Sequence, residues 1–267
     1  MGYETVQFSE KGRVATIMLN RPKWLNALNV VMCEELMDAI KQCRWDKGIR
    51  SVVLTGVGKA FCSGGDVQEM RDFFSKYPNE NPGKIVEELV SAVNPVLLAI
   101  RKLEKPVIGA IKGPCSGGGA GLALACDIII AAENSKIHVP NINIGLVPDG
   151  GNSFFLTQKL GRYKAAELYF TAEPLDAYEA LRLGIFNRVV PETDLLHEAE
   201  ALALRLARGP APAIAMAKRM LDLASTNNLE TQLEIEKEAV IRCGDTREFK
   251  EGIMAFFEKR RPDFVKL

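Results

Sequence analysis

Apolar residues along this chain follow two rhythms. Short β-branched and apolar runs at Val14–Leu19, 51–55, 105–111, 127–132 and 136–139 read as strands, several apolar enough to be buried on both faces. Between them lie stretches with apolar residues three and four apart. Met32, Leu36, Ala39, Ile40 and Cys43 share one face of a helix that Asn29 is placed to cap. A long helix is expected over 84–103 and a helical stretch over 120–126. Residues 73–83, polar and interrupted by Pro78 and Pro82, read as a loop. After Pro148 the helical rhythm takes over: 153–160, 163–170, 177–183, Leu195–Ala207, Ala211–Ala224, and 229–257 with a break near Gly244.

Strands alternating with helices and followed by helices alone predict an α/β core over residues 1–195 and a helical C-terminal region over 196–267. A helical tail this apolar is expected to pack on a neighbouring subunit.

Composition narrows the partners. Lys+Arg and Asp+Glu are equal at 34 each, so no global charge recommends nucleic acid or an anionic membrane. The first residues lack the basic-then-apolar build of a signal peptide, and no apolar run reaches the roughly 18–20 residues that cross a bilayer. Six scattered cysteines, with no CxxC spacing, read as reduced core thiols and favour a cytoplasmic or other reducing compartment. With only His138 and His197 present, and neither beside a nucleophile motif, a histidine-based metal site or triad has little to rest on.

Candidate chemistry lies in two distant glycine-rich turns, Cys62-Ser63-Gly64-Gly65-Asp66 and Gly113-Pro114-Cys115-Ser116-Gly117-Gly118-Gly119. Each follows a strand and leads toward a helix. Glycine exposes the bare main chain, and a helix N-terminus offers unpaired N–H groups with a partial positive charge. Two such turns meeting in space could aim two donors at one developing oxyanion. Neither has the spacing of a phosphate-binding Walker or dinucleotide loop.

Further short motifs carry a resemblance. Arg21-Pro22 with Asn26-Ala27-Leu28, Phe61 through Asp66, Gly117-Gly118-Gly119 with Cys126-Asp127, Gly145 through Gly151, and Phe256 with Glu258-Lys259-Arg260-Arg261-Pro262 occur in the order and spacing of the enoyl-CoA hydratase/isomerase (crotonase) family. The chain resembles that family over nearly its whole length. The resemblance implies a spiral of ββα units with a helical trimerisation region, assembled as a homotrimer or homohexamer. It implies an acyl-CoA thioester as substrate, with coenzyme A entering as part of that substrate and no metal or tightly bound cofactor. The thioester oxygen would lie between the N–H groups of Gly65 and Gly118. Ala27, Ser63, Asp66 and Val67 match positions lining the coenzyme A, while Phe256 and Lys259 match C-terminal positions that reach its nucleotide. Asp66 is equally well read as a turn or cap carboxylate, and Lys259 as part of a solvated helix end.

The chain departs from the hydratase pattern at its acids. Members that hydrate place one glutamate two residues after the triple glycine and another after the next strand; Gly121 and Asn141 stand at those positions. Asp149 remains nearby. Related double-bond isomerases resemble this chain in carrying an acid there, and dehalogenating relatives use an Asp there as nucleophile. Asp149 also fits as the N-cap of the following helix. The leading reading is an enoyl-CoA isomerase with Asp149 as its single base. The alternatives are a hydratase with unusual acids, a dehalogenase or hydrolase, and a silent acyl-CoA-binding subunit. His138 is read as a packed core residue, and Cys115 and Ser116 as structural.

Overall fold

The computed structural model describes residues 2–266. Its strands and helices are, in chain order, β1 (Val6–Lys11), β2 (Val14–Leu19), α1 (Val30–Trp45), β3 (Ser51–Gly56), α2 (Val67–Lys76), α3 (Gly83–Arg101), β4 (Val107–Ile111), β5 (Pro114–Ser116), α4 (Gly118–Ala125), β6 (Ile128–Ala132), β7 (Lys136–His138), α5 (Asn152–Thr171), β8 (Leu175–Asp176), α6 (Ala177–Arg182), β9 (Arg188–Val190), α7 (Leu195–Ala207), α8 (Ala211–Ala224), α9 (Leu229–Gly244) and α10 (Arg247–Phe257). The main sheet has the order β1-β2-β3-β4-β6-β9, and a second sheet the order β5-β7-β8. Only β1 with β2 and β7 with β8 are antiparallel.

This arrangement is the spiral of ββα units expected from the resemblance. From β4 the chain crosses to β5 and then α4; from β6 it crosses to β7 and then α5. Each turn thus adds a long strand to one sheet, a short strand to the other, and a helix. The long strands β3 and β4 are buried at every position, as a parallel sheet covered on both faces requires.

Several expectations needed correction. Strand β1 escaped the sequence reading because only Val6 is buried in it; an edge strand wetted on one side loses its apolar signature. Residues 73–76, read as loop, continue α2, which buries none of its side chains. The region after Pro148 is not all helical: β8 and β9 are short strands completing the two sheets. The two helices expected over 153–170 are both present within α5, divided at Gly161, whose φ of 76° and ψ of 164° are not helical. Strand β5 lies inside the turn expected over 113–119; elsewhere the pattern held, including the Asn29 cap, whose side chain accepts from Met32 N at 3.0 Å.

Leu195, Ala199, Leu202, Ala203 and Ala207 of α7 pack on Val14, Val53, Ile108, Ala110, Ile130 and Ala132 of the main sheet. Helix α7, the first of the helical region expected over 196–267, is thus packed against the main sheet. One buried cation pins α8 back to the core. Lys218 Nζ lies 2.8 Å from Asp127 Oδ2 and donates to the carbonyls of Ile100 at 2.9 Å and Lys105 at 3.2 Å. Burial lowers the Lys218 pKa and the Asp127 carboxylate opposes it. Helices α9 and α10 bury little; Leu229, Val240, Phe256 and Phe257 are exposed. Among the described residues no helix is long and apolar enough to cross a membrane.

Candidate active site

The two glycine-rich turns meet, held in register by backbone pairing. Cys62 and Cys115 form an isolated parallel bridge, in which Cys62 N donates to Pro114 O and Ser116 N to Cys62 O. Continuing that register sets Gly64 beside Gly117; a Cβ on Gly64 would come within 3.0 Å of Ser116 O. Gly117 has φ 50° and ψ −122°, a conformation that L-residues with a side chain rarely adopt, and it turns the chain into α4. A second bridge, Leu28 with Gly65, uses Leu28 N to Gly64 O and Asp66 N to Leu28 O. Strand alternation then points the Gly65 N–H away from that bridge. Gly118 is the first residue of α4, where no carbonyl four residues back is available. Neither N–H has a hydrogen-bond partner among the described residues, and both residues line one cavity of about 190 Å³.

Asp149 faces the same cavity and is the only ionisable residue lining it among the described residues. It does not cap α5, whose N-cap is Gly151 with no side-chain cap bond. Its carboxylate instead accepts from Asn141 Nδ2 at 2.9 Å. The turn that carries it is braced by Asn152, whose Nδ2 donates to Asp149 O at 2.7 Å and Gly117 O at 2.9 Å. Tyr169 completes the brace by donating to Asn152 O at 2.6 Å. One buried amide therefore fixes the acid relative to the Gly117–Gly119 turn. Asn152 and Tyr169 were missed in the sequence, where nothing distinguishes them from ordinary helix residues.

Position 121 cannot carry an acid in this backbone. A Cβ on Gly121 would collide with the carbonyl oxygen of Gly150 and approach its Cα to 3.4 Å. The turn bearing Asp149 thus fills the space a side chain would need. We expect Gly121→Ala to destabilise the fold by about 1–3 kcal/mol in urea unfolding, the usual range for overpacking. Gly121→Glu should confer no hydration of crotonyl-CoA, measured by loss of its enoyl absorbance.

The other expected residues divide into two groups. Ser63 and Val67 line the cavity, and Val67 continues into an adjoining apolar groove of about 400 Å³ with Phe74, Val86, Ile144 and Leu146. Ala27 and Asp66 lie just behind, tied by an arginine the sequence reading had noted only as part of a motif. Arg21 donates to Ala27 O at 2.6 Å, pairs with Asp66 Oδ2 at 2.9 Å and stacks 5.0 Å above the Trp24 ring. The Asp66 carboxylate also caps α2, accepting from Gln68 N at 3.0 Å and Glu69 N at 3.2 Å. Its side chain is 5% exposed and fills the cap role among these partners. Phe256 and Lys259, at the exposed end of α10, lie outside the cavity lining in the single chain.

The thiols at the turns are structural. Burial pushes Cys62 up to about 12 and Cys115 well above the ordinary thiol value, so neither supplies a thiolate near neutral pH. His138 Nε2 lies 2.7 Å from Ala172 O, packed as expected. Among the described residues no group of three or more His, Cys, Asp or Glu side chains is placed to hold a metal ion.

A spiral of ββα units whose paired turns present two free N–H groups beside a lone carboxylate defines an α/β enzyme core with a candidate oxyanion site. Comparison with known proteins gives the family. The enoyl-CoA hydratase/isomerase family model matches residues 9–266, and the chain belongs to that family. It is 37% identical over 256 residues to the 1,2-epoxyphenylacetyl-CoA isomerase of Escherichia coli K12, covering 96% of both chains. It is 34% identical over 267 residues to the short-chain-enoyl-CoA hydratase of Clostridium acetobutylicum, covering 100% of this chain and 99% of the other. The crystal structure of an enoyl-CoA hydratase from Polaromonas sp. JS666 superposes with a TM-score of 0.91 at 32% identity, covering 97% of this chain and 98% of that one.

Proposed function

We propose that this enzyme moves the double bond of an enoyl-CoA thioester, stabilising an enolate with Gly65 and Gly118 and shuttling one proton on Asp149. The observation that carries this reading is one cavity whose wall, among the described residues, holds a single carboxylate together with two unpaired N–H donors. The thioester carbonyl accepts from both N–H groups, which favours removal of an α-proton. The Asp149 carboxylate takes that proton from C2 of a 3-enoyl chain as the C3–C4 double bond moves to C2–C3. It then returns the proton to C4, and the enolate collapses to the conjugated thioester. No atom is gained or lost, so one acid–base group suffices. Hydration needs a second group to activate water, and positions 121 and 141 hold none.

Coenzyme A would run from the cavity past Ser63, Ala27 and Val67, with Asp66 holding the α2 end of that path through Arg21. The exposed face around Phe256 and Lys259 would meet the nucleotide in an assembled oligomer. The apolar residues left exposed on α9 and α10 favour a homotrimer or homohexamer. Light scattering at micromolar concentration should give three or six times the chain mass; a stable monomer would count against it. The function itself is tested by incubating the enzyme with 2-enoyl-, 3-enoyl- and aryl-CoA thioesters in deuterated water and reading products by mass spectrometry. We expect 3-enoyl-CoA to convert to its 2-enoyl isomer and crotonyl-CoA to resist hydration. Rapid hydration, or no exchange and no conversion, would refute the reading.

A further inference from the structure

Asn141 stands where the resemblance expects a second acid, yet it is more than an absent carboxylate. Its Nδ2 donates to Asp149 Oδ1, which fixes the amide's orientation, because a carboxylate only accepts. Oδ1 therefore points the other way. It has no hydrogen-bond partner among the described residues, although Asn141 is only 9% exposed. The residue lines the cavity, and a Cβ on Gly117 would lie 3.9 Å from this oxygen. This acceptor thus sits between Asp149 and the Gly117 turn, closed off from solvent in the wall of the cavity that would hold the acyl group.

We propose that Asn141 determines specificity by accepting a hydrogen bond from a hydroxyl on the acyl group, so that the enzyme selects a hydroxylated acyl thioester over its unsubstituted counterpart. This rests on the acyl-thioester reading above. A buried acceptor calls for a donor, and the surroundings decide which kind. An ammonium would be drawn to the Asp149 carboxylate in the same cavity wall, and a carboxylate held in an ion pair could not serve as the base the reading above requires. An amide would bring a carbonyl needing a donor, and the two free N–H groups are committed to the thioester. A hydroxyl is satisfied by the one bond offered. A carboxylic acid on the substrate would ionise against Asp149 and be repelled.

The test compares binding, which needs no turnover. Wild type, Asn141→Leu and Asn141→Asp are titrated by calorimetry with butanoyl-CoA and with 3-hydroxy- and 4-hydroxybutanoyl-CoA. Leucine is near in size but lacks both polar atoms; aspartate keeps an acceptor. We expect at least one hydroxylated thioester to bind wild type about tenfold more tightly than butanoyl-CoA, the scale of satisfying one buried acceptor. That ratio should fall to near one in Asn141→Leu and survive in Asn141→Asp. Because each ratio is taken within one variant, any loosening of Asp149 affects both ligands and cancels. If Asn141→Leu does not fold, Asn141→Ala serves the same comparison. Equal affinity of wild type for all the ligands overturns the proposal, as does a ratio unchanged in the leucine or alanine variant. A crystal structure with butanoyl-CoA showing water on Oδ1, together with equal affinities, assigns the acceptor to water and also overturns it. Failure of the isomerase reading would appear separately, as no conversion of 3-enoyl-CoA by the wild type with the hydroxyl ratio intact.

Discussion

Asp149→Asn should abolish most isomerisation while leaving the protein folded. The new amide is nearly isosteric, and its oxygen can still accept from Asn141 Nδ2 as the carboxylate does at 2.9 Å. The bonds that brace the turn use the main-chain carbonyl of residue 149, which the substitution does not touch. Nor does the side chain cap α5, so no helix start is lost. What disappears is the only ionisable group lining the cavity among the described residues. A positioned general base contributes about 10²–10⁴ in rate, and we expect a loss in that range, with the melting temperature within a degree or two of wild type. Steady-state conversion of a 3-enoyl-CoA, set beside a thermal melt, measures both. An amide variant that isomerises at the wild-type rate would reduce Asp149 to a structural acceptor.

Removing one N–H from the oxyanion site should cost nearly as much. Gly118 is the first residue of α4, the one helical position where proline's missing N–H and fixed φ are tolerated. Gly118→Pro therefore deletes the donor without breaking the helix. A side chain at 118 would meet Leu28 Cδ1 at 3.1 Å, a crowding that Gly118→Ala shares while keeping its N–H. The pair separates shape from hydrogen bonding. We expect kcat to fall about 10²–10³-fold from the alanine to the proline variant, the usual worth of one oxyanion donor. Circular dichroism would confirm that both are folded. Equal turnover in the two variants would take Gly118 out of the mechanism.

The sequence made the two glycine turns legible, but not how they meet. The Cys62–Cys115 bridge joins two buried residues 53 positions apart, and nothing local to either marks the other as its partner. Helix α2 was half missed because none of its residues is buried, so no apolar period betrays it; only its cap, Asp66, was visible, and that residue had two readings. In the site, Asp149 was found as an acid, whereas Asn141 registered only as the lack of one. Whether an asparagine holds a neighbour or faces a ligand depends on which end of its amide is engaged, and that is decided by the fold. Asn152 and Arg21 bind main-chain carbonyls and a buried carboxylate from other segments, contacts that leave no spacing pattern behind.

The close approach of Gly121 to the Gly150 carbonyl has a consequence for the routes open to this chain through sequence space. An acid at 121 is blocked while the turn at 148–151 keeps its course, and that turn cannot retreat without displacing Asp149, which Asn152 ties to Gly117. Each half of the arrangement thus removes the advantage of changing the other. A step toward a two-carboxylate site would have to alter the helix and the turn together, passing through intermediates that displace Asp149 before a second carboxylate is in place. Laboratory selection for hydration that begins from this chain should therefore succeed from libraries that vary 121 and 148–151 jointly, and stall when either is varied alone.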